Sequence, residues 1–444
     1  METIDHLIKF AAIPLEAENA LEQFLRDQKI TPSAITGPAV DFIRVFGNAR
    51  FLTRFIFNHP DVFLDYCTSA YTHAEKGPAV FEQEAGLCCQ TNGDFVPALK
   101  RYKYQELLRI TIKELLGLDQ RMIYRELAHL ARAVIKRVAN DLFGNLLTRY
   151  DITDAAVGQY MFIAMGKLGG LELNYSSDID LIGIYDQEIN LDTVSTHEFF
   201  VKLFTQLGQK LSAVDKDGFL YRTDWDLRPE GKAGTMANSI GSIETYYMAF
   251  GAEWERQAFI KASPVWETGD LSRQVMSLLT PFVYRSTFDE KTVKNIWDMK
   301  SKIVSELHQK ESGGINIKLD EGGIRDIEFF VQGFQLLYGG RIKDLRVQNT
   351  LDAILKIRGH GLISQQRADV LTKSYLFLRR LESMLQMEEE QQTHTVKTAR
   401  EHKLKLARRM GITASGDAAC SMLDEELSNV RNTVRTVFRE VYDR

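Results

Sequence analysis

Apolar residues recur at helical spacing through the first 150 residues. In the segments 101–118 (RYKYQELLRITIKELLGL) and 120–143 they return every three or four positions among charged residues. The stretch 77–97 contains proline and glycine and is predicted to be a loop between helices. The pattern therefore predicts a helical N-terminal region.

The pattern changes near Gly158 to short apolar runs that are typical of strands. Residues 160–165 (YMFIAM) and 178–185 (DIDLIGIY) are rich in apolar and β-branched residues. The segment GKLGG lies between them. We predict two strands joined by a connection that contains a glycine turn.

A helix and a third strand are predicted next. Ser195 precedes Glu198 by three residues, the spacing of a capping box at the start of a helix. An apolar stripe with a period of three and four residues follows it. The turn dipeptide Asp217-Gly218 then leads into 219–227 (FLYRTDWDL), which is predicted to be a strand.

From residue 239 onward the pattern is helical again, with apolar stripes at 371–385 and 427–441. We therefore predict an α+β fold that is predominantly helical, in which a small mixed sheet is flanked by N- and C-terminal helical regions. The predicted boundaries are 1–150 for the first helical region, 151–238 for the sheet and 239–444 for the second helical region.

Composition narrows the class of protein. The net charge of -5 argues against a general nucleic-acid binder, which usually carries a basic excess. No apolar run approaches the roughly 20 residues of a membrane span, and METIDHLIKF does not resemble a signal peptide. The four cysteines contain no CxxC pair, which favours a reducing compartment. We expect a cytoplasmic protein with no membrane or nucleic-acid partner.

Two carboxylates mark the second predicted strand. Asp178 and Asp180 are two positions apart, so their side chains share one face of a strand. Two neighbouring, nearly buried carboxylates stay ionised only with a cation between them. Mg²⁺ suits them because it takes oxygen ligands and keeps sites for a substrate phosphate. A solvated strand edge is the alternative.

The third predicted strand adds Arg222, Asp224 and Asp226 on one face. Carboxylates from adjacent strands can bind two Mg²⁺ ions that hold the attacking and leaving oxygens of a phosphoryl displacement. The pattern leaves open whether Asp224 or Asp226 is the metal ligand. Arg222 and Arg228 are candidates for holding a phosphate. Taken singly, either aspartate is also compatible with an ordinary surface position.

The glycine-bearing segment is the candidate phosphate loop. Its glycines allow a tight turn in which backbone N–H groups approach a phosphate, although it lacks the Walker A pattern. A purely structural turn is the alternative, and Arg256 and Lys261 are as compatible with solvated positions as with phosphate binding. The candidate phosphate- or nucleotide-binding residues in addition to the two arginines above are Gly166, Lys167, Gly169, Gly170, Ser177, Arg256 and Lys261.

Several blocks of sequence resemble one family. A glycine turn, a D-x-D strand and a later carboxylate strand are similar to the nucleotidyltransferase superfamily that includes DNA polymerase beta. Within that superfamily, sequence blocks over most of the chain resemble those of the glutamine synthetase adenylyltransferases, and they occur in the same order. The matching blocks are AMGKLGGLELNYSSDIDLIGIYD (164–186), YRTDWDLRPEGKAG (221–234), WERQAFIKA (254–262), GGIRDIEFFVQ (322–332) and FLRRLESMLQ (377–386).

The resemblance implies a specific activity. Members of the family carry two nucleotidyltransferase halves, of which the N-terminal half removes AMP from a glutamine synthetase tyrosine by phosphorolysis, releasing ADP. GGIRDIEF and the single D-x-D about 175 residues from Met1 resemble that half. The implied metal ligands are Asp178, Asp180 and Asp224, with Asp326 and Glu328 as possible additional acids. Asp226 occupies a position that is often Arg in the family.

The implied partners are glutamine synthetase, phosphate and ADP (or ATP), and a PII signal protein. Two other functions stay open at this stage. One is the opposite direction of transfer, in which ATP donates AMP to glutamine synthetase. The other is a non-catalytic module that binds glutamine synthetase or a PII protein. Of the three functions, we expect the adenylyl-removing one.

Overall fold

The computed structural model describes residues 4–31, 35, 37–68, 73–88, 95–285 and 313–442. Helices precede the sheet, as predicted, and the two long ones coincide with the segments chosen from apolar periodicity. These helices are α1 (Ile4–Phe10), α2 (Pro14–Gln28), α3 (Pro38–Ile43), α4 (Arg50–Asn58), α5 (Asp61–Thr68), α6 (Pro78–Leu87), α7 (Val96–Leu115), α8 (Gln120–Tyr150) and α9 (Asp154–Val157).

The predicted loop at 77–97 was wrong over most of its described part. Pro78 begins α6 at a position where the missing N–H group of proline costs nothing. Phe81 and Ala85 are one turn apart and both are buried. Proline and glycine therefore marked the start of a helix here. Residues 89–94 of the same stretch lie outside the described residues.

A small mixed sheet follows the first helices. β2 lies antiparallel to β1, with Phe162 opposite Gly183, and β1 lies antiparallel to β5. β3 pairs in parallel with the start of β2, and β4 pairs in parallel with its end. The strands are β1 (Tyr160–Ala164), β2 (Ile179–Tyr185), β3 (Thr223–Asp224), β4 (Ala237–Ser239) and β5 (Ser263–Pro264).

The sheet is covered on both faces. Phe162 and Leu181 belong to a large apolar cluster that runs from the N-terminal helices to the C-terminal ones. Ile163, Ile182 and Ile184 belong to a second cluster on the opposite face. Because side chains alternate along a strand, Asp180 lies on the same face as Ile182 and Ile184. The residues that flank the D-x-D motif are thus fixed by packing on both sides.

The predicted third strand is much shorter than expected. Of residues 219–227, which were predicted to be a strand, only Thr223 and Asp224 pair with β2. The backbone N–H group of Asp226 donates to Oδ1 of Asp224 over 2.7 Å, and this local hydrogen bond turns the chain away from the sheet. Arg222 and Asp226 therefore do not continue one regular strand face.

The connections between strands are helical. The GKLGG segment forms a single turn, α10 (Gly166–Gly169), which β1 delivers to the edge of the sheet. The predicted N-cap is confirmed, since Oγ of Ser195 accepts from the backbone of Glu198 at the start of α11 (Thr196–Ser212). The return bond from the Glu198 side chain, which would complete the predicted capping box, is not formed among the described residues.

The region after β4 is mainly helical, and both predicted apolar stripes lie on helices. A short antiparallel pair, β6 (Gly314–Asn316) and β7 (Thr395–Lys397), was not predicted. No helix within the described residues is long and apolar enough to cross a bilayer. The helices are α12 (Ile240–Ala249), α13 (Glu253–Phe259), α14 (Asp270–Val283), α15 (Ile324–Tyr338), α16 (Thr350–Gly359), α17 (Gln365–Gln386), α18 (Arg400–Arg409) and α19 (Asp417–Tyr442).

Candidate active site

A pocket of about 400 Å³ opens at the end of the sheet where α10 follows β1 and where β2 begins. Helices α13 and α15 form its other walls. Its volume lies in the range of small-molecule sites. Seven of the residues predicted from the sequence line this pocket: Gly166, Lys167, Ser177, Asp178, Asp180, Lys261 and Glu328.

Asp180 is the carboxylate most strongly affected by its surroundings. Burial, together with the negative charges of Asp224 and Asp178, raises the pKa of its carboxyl group to about 7. Its Oδ2 atom lies 2.6 Å from where a Cβ atom on Gly166 would stand. Gly166 also has a positive φ of 53°, so both its backbone conformation and this close approach require glycine.

Asp178 lies at the pocket mouth and is held by two polar side chains. Nε of Arg222 donates to its Oδ1 atom over 2.8 Å, and Nε2 of Gln392 donates to its Oδ2 atom over 3.1 Å. Arg222 also donates to the carbonyl and hydroxyl groups of Ser176. Arg222 therefore orients a carboxylate rather than pointing free into the pocket.

The structure separates the two aspartates that the sequence left equivalent. Asp224 lies directly opposite Asp180 in the parallel pairing of β2 and β3. Asp226 lies beyond the turn, where its Oδ2 atom is 3.4 Å from Nζ of Lys232. Of these two, only Asp224 raises the pKa of Asp180. The placement favours Asp224 as the partner of the D-x-D pair.

The donor chemistry of this group fits a hard divalent cation. Asp180 carries a raised pKa beside two other carboxylates, and a cation would relieve the repulsion between them. As the side chains are placed, no group of three or more Asp, Glu, His or Cys residues within the described ranges is close enough to chelate an ion. Mg²⁺ binding, with one ion or two, therefore remains a prediction for Asp178, Asp180 and Asp224.

Lys167 is tied to a buried ionic network. Its Nζ atom lies 2.7 Å from Oε1 of Glu382, which also receives Nδ1 of His394 at 2.9 Å. Arg379 lies 3.1 Å from the other oxygen of Glu382, and both of these side chains are fully buried. Burial lowers the pKa of Lys167 to about 7, against the raising effect of Glu382. We infer that Lys167 contributes charge at the pocket wall, while its ion pair with Glu382 holds it in place.

Lys261 and Glu328 form a second buried pair in the wall. Nζ of Lys261 lies 2.9 Å from Oε1 of Glu328 and 2.5 Å from Oε2 of Glu172. Burial alone would raise the pKa of Glu328, but the charge and hydrogen bond of Lys261, together with the charges of Arg379 and Lys167, outweigh it and lower that pKa to about 2. Asp326 is instead buried in the first turn of α15, where it accepts from the backbone of Gly322. The two acids therefore differ in role.

Besides Arg222, four candidate phosphate-binding residues do not line the pocket, namely Arg228, Arg256, Gly169 and Gly170. Arg228 donates to the carbonyl groups of Trp225, Lys232 and Gly234 and so clips the turn after β3. Arg256 is buried and stacks on Phe282, so it is neither solvated nor a pocket residue. Gly169 and Gly170 have packing roles: a Cβ atom on Gly169 would lie 1.9 Å from the carbonyl oxygen of Lys261.

Two cations in the pocket wall were missed by sequence reasoning. Lys318 and Arg325 both line the pocket. Among the residues that the structure describes, neither has a carboxylate partner, although Lys318 is close enough to lower the pKa of Asp180. The GGIRDIEF block contains Arg325, but its apolar periodicity carried no sign that this arginine lines the pocket.

A D-x-D strand beside a glycine turn, with a third carboxylate on the neighbouring parallel strand, is the arrangement of a nucleotidyltransferase. Comparison with known families agrees with this class. Residues 39–277, more than half of the chain, match the family described as glutamate-ammonia ligase adenylyltransferase. The chain belongs to this family. Residues 298–442 match a second family, described as GlnD PII-uridylyltransferase.

Individual relatives support the family assignment and show how much of their length the chain covers. The chain is 32% identical over 425 residues to a bifunctional glutamine synthetase adenylyltransferase/adenylyl-removing enzyme of Hahella chejuensis, covering 93% of this chain and 43% of that protein. It is 34% identical to the enzyme of the same name from Methylococcus capsulatus, covering 83% and 39%. The chain thus spans less than half the length of these relatives.

Proposed function

We propose that this chain removes AMP from an adenylylated tyrosine of glutamine synthetase by Mg²⁺-dependent phosphorolysis. The observation that carries the proposal is a pocket lined by Asp178 and Asp180 that also presents Lys318 and Arg325 without carboxylate partners among the described residues. Asp224 does not line this pocket but lies opposite Asp180 on the neighbouring strand and raises its pKa. Carboxylates suit a metal-held phosphodiester, and free cations suit a second phosphate beside it.

In the proposed reaction, one bond forms and another breaks at the same phosphorus atom. An oxygen of inorganic phosphate attacks the α-phosphorus of adenylyl-tyrosine and forms the P–O–P bond of ADP. The bond from phosphorus to the tyrosine oxygen breaks, and the phenolate leaves with its electron pair. Bound Mg²⁺ would supply neutralisation of charge on the phosphorus oxygens. Asp178, Asp180 and Asp224 would hold it.

The residues of the chain supply positioning and charge. We assign Lys318 and Arg325 to the attacking phosphate, because Lys167 and Lys261 are already neutralised by Glu382 and Glu328. An anion placed between Lys318 and the carboxylate cluster would lie next to the phosphodiester. Holding both reactants in this way replaces a bimolecular encounter with a positioned one.

The proposed direction of AMP transfer is supported by a sequence motif rather than by the geometry of the site. The block GGIRDIEF at 322–329 resembles the adenylyl-removing half of the family. The same carboxylates would also serve the reverse chemistry, with ATP as donor and pyrophosphate as product. The match of residues 298–442 to a PII-uridylyltransferase family favours a regulatory PII protein as a further partner. A non-catalytic binding role is the remaining alternative.

The decisive experiment follows the label of the attacking phosphate. Adenylylated glutamine synthetase is incubated with this chain, Mg²⁺ and ³²P-labelled phosphate, and the nucleotide products are separated. Phosphorolysis places the label in the β-phosphate of ADP. Unlabelled AMP would indicate hydrolysis instead, and pyrophosphate formed from ATP and unmodified glutamine synthetase would indicate the reverse direction. Either result overturns the proposal.

The assignment of the attacking phosphate has its own test. Lys318→Met and Arg325→Met should raise the KM for phosphate at least about tenfold, the effect of about 1.4 kcal/mol, with a smaller effect on the KM for adenylylated glutamine synthetase. Lys373→Met is the matched control, since Lys373 is an exposed lysine of α17 outside the pocket. An unchanged phosphate KM in both pocket variants would exclude this role.

A further inference from the structure

Helices α13 and α15 are neighbours in the pocket wall, and polar side chains of the two segments pair at regular intervals. Trp254, Gln257 and Lys261 line it from the α13 side, and Glu328 and Gln332 line it from α15. Positions separated by three, four and seven residues share one face of a helix. Lys261 pairs with Glu328 and Gln257 pairs with Gln332, so the two segments run antiparallel along the wall.

The glutamine pair is incompletely satisfied. Nε2 of Gln257 donates to Oε1 of Gln332 over 2.7 Å, and both side chains are more than nine-tenths buried. Among the described residues, Oε1 of Gln257 has no hydrogen-bond partner, and Nε2 of Gln332 has none either. Because a buried acceptor without a partner is unfavourable, a ligand that pairs with both groups would relieve that cost.

The position of the pair along the wall relates it to the carboxylates. Lys261 lies at the inner end, because β5 begins two residues later and pairs with β1 at Ala164. Gln257 lies four residues earlier, on α13, which ends at Phe259, and is therefore further from the sheet than Lys261. Trp254 lies about one turn of α13 beyond Gln257, and it is 42% exposed although it lines the pocket.

We propose that Gln257 and Gln332 recognise the edge of an adenine ring that stacks on Trp254. The wall thus offers an acceptor and a donor side by side, which adenine matches with its amino group and ring nitrogen, as glutamine amides do elsewhere. An exposed indole supplies a flat apolar surface for a base. The inference rests on the proposed function, since it takes the phosphates to lie at the inner, carboxylate end.

The test measures binding rather than turnover. The dissociation constants of ADP, purine riboside 5′-diphosphate, UDP and pyrophosphate are determined by calorimetry with Mg²⁺ present. Purine riboside diphosphate has the size of ADP but lacks the amino group. Leaving Oε1 of Gln257 unpaired should weaken its binding about tenfold relative to ADP, which corresponds to about 1.4 kcal/mol. UDP should bind more weakly than ADP.

Variants assign this preference to the pair. Gln257→Met and Gln332→Met keep side-chain volume. Gln257→Met removes the acceptor for the amino group and should reduce the gap between ADP and purine riboside diphosphate to about twofold. Gln332→Met removes the donor to a ring nitrogen that both nucleotides carry and should weaken both, while pyrophosphate binds to either variant as before. Gln366→Met, at an exposed position of α17, is the matched control and should keep the wild-type gap.

The outcomes separate this inference from the proposed function. If the wild-type chain forms labelled ADP but binds ADP and purine riboside diphosphate equally, base recognition by the pair is excluded and phosphorolysis stands. UDP binding as tight as ADP binding would likewise exclude adenine as the base, whether or not the variants fold. Absence of labelled ADP combined with the expected binding pattern would leave the adenine site and overturn the reaction.

Discussion

Asp180 and Asp224 are directly opposed residues of two parallel strands. Neighbouring strands lie about 4.8 Å apart and opposed side chains project to the same face, so the two carboxylates stand side by side. The charge of Asp224 contributes to the raised pKa of Asp180. Two residues further along, Asp226 has left the strand and faces Lys232. One short backbone turn thus distinguishes two aspartates of the same sequence block.

This distinction predicts different effects of equivalent substitutions. Asp224→Asn should lower kcat for ADP formation by at least about 100-fold, a loss of about 2.7 kcal/mol of transition-state stabilisation. Asp226→Asn should change kcat less than about threefold, because Asp226 lies outside the carboxylate group. The measurement is ADP formation from adenylylated glutamine synthetase, with folding of both variants checked by circular dichroism. The reverse ranking would make Asp226 the functional residue.

Asp180→Asn should make the metal-free protein more stable at pH 8. The folded pKa of Asp180 is about 7, above the ordinary value of 3.8 for an aspartate carboxyl group. Between about pH 4 and 7 the folded state therefore holds a proton that the unfolded state has released, and stability falls as the pH rises. One pKa unit corresponds to about 1.4 kcal/mol. We expect the substitution to raise the free energy of unfolding by at least that amount.

The dependence on pH and Mg²⁺ distinguishes this effect from a general gain in packing. Urea unfolding in EDTA should show the difference between Asp180→Asn and wild type at pH 8, and the difference should shrink toward pH 4.5. Mg²⁺ should stabilise only the wild type. A difference that is equal at both pH values would show that ionisation of Asp180 is not its cause.

Glu382 illustrates how much of the site depends on contacts that sequence spacing does not reveal. It is fully buried between Lys167, Arg379 and His394, and these charges hold its pKa well below the usual value despite burial. Glu382→Gln should cost about 3–5 kcal/mol of stability, because it leaves buried cations without a counter-charge. Asp344→Asn, which removes exposed pairs with Lys356 and His360, should destabilise the protein far less, because exposed pairs are screened by solvent. Thermal unfolding of both variants measures the contrast.

The sequence predicted those parts of the site that follow from local periodicity. The two-residue period of β2 placed Asp178 and Asp180 at the pocket and their apolar neighbours in the core. The extent of the third strand was overestimated, because an aspartate side chain that captures a backbone N–H group competes with strand pairing. Such competition depends on side-chain conformation, which strand propensity does not describe.

The cations and amides of the far wall could not be predicted in the same way. Lys318 and Arg325 lie well over a hundred residues after the D-x-D motif. Arg325 reaches the pocket on α15, whose side chains contact α13, and Lys318 reaches it from the segment that follows β6. Arg256 shows the converse, since its place in a matching block suggested phosphate binding while the helix turns it onto Phe282. The missing information is the choice of helix face, which tertiary packing decides.

The close contact between Gly169 and the segment after α13 gives a last prediction, which concerns how the two sides of the pocket are joined. A Cβ atom at Gly169 would lie 1.9 Å from the carbonyl oxygen of Lys261 and 2.4 Å from that of Ala164. These are backbone atoms, one at the end of β1 and the other two residues before β5, so neither can move without disturbing the sheet. Gly169→Ala should therefore destabilise the protein by about 1–3 kcal/mol, the usual cost of overpacking.

Gly144 supplies the matched control for the same substitution. It lies at an exposed position inside α8, and a Cβ atom there would meet nothing within 4 Å. Gly144→Ala should stabilise the protein by about 0.5–1 kcal/mol, because alanine favours the helix. Urea unfolding of the two variants should thus give changes of opposite sign. If Gly169→Ala is as stable as wild type, α10 does not pack closely against the chain at Lys261, and the pocket wall must be held in another way.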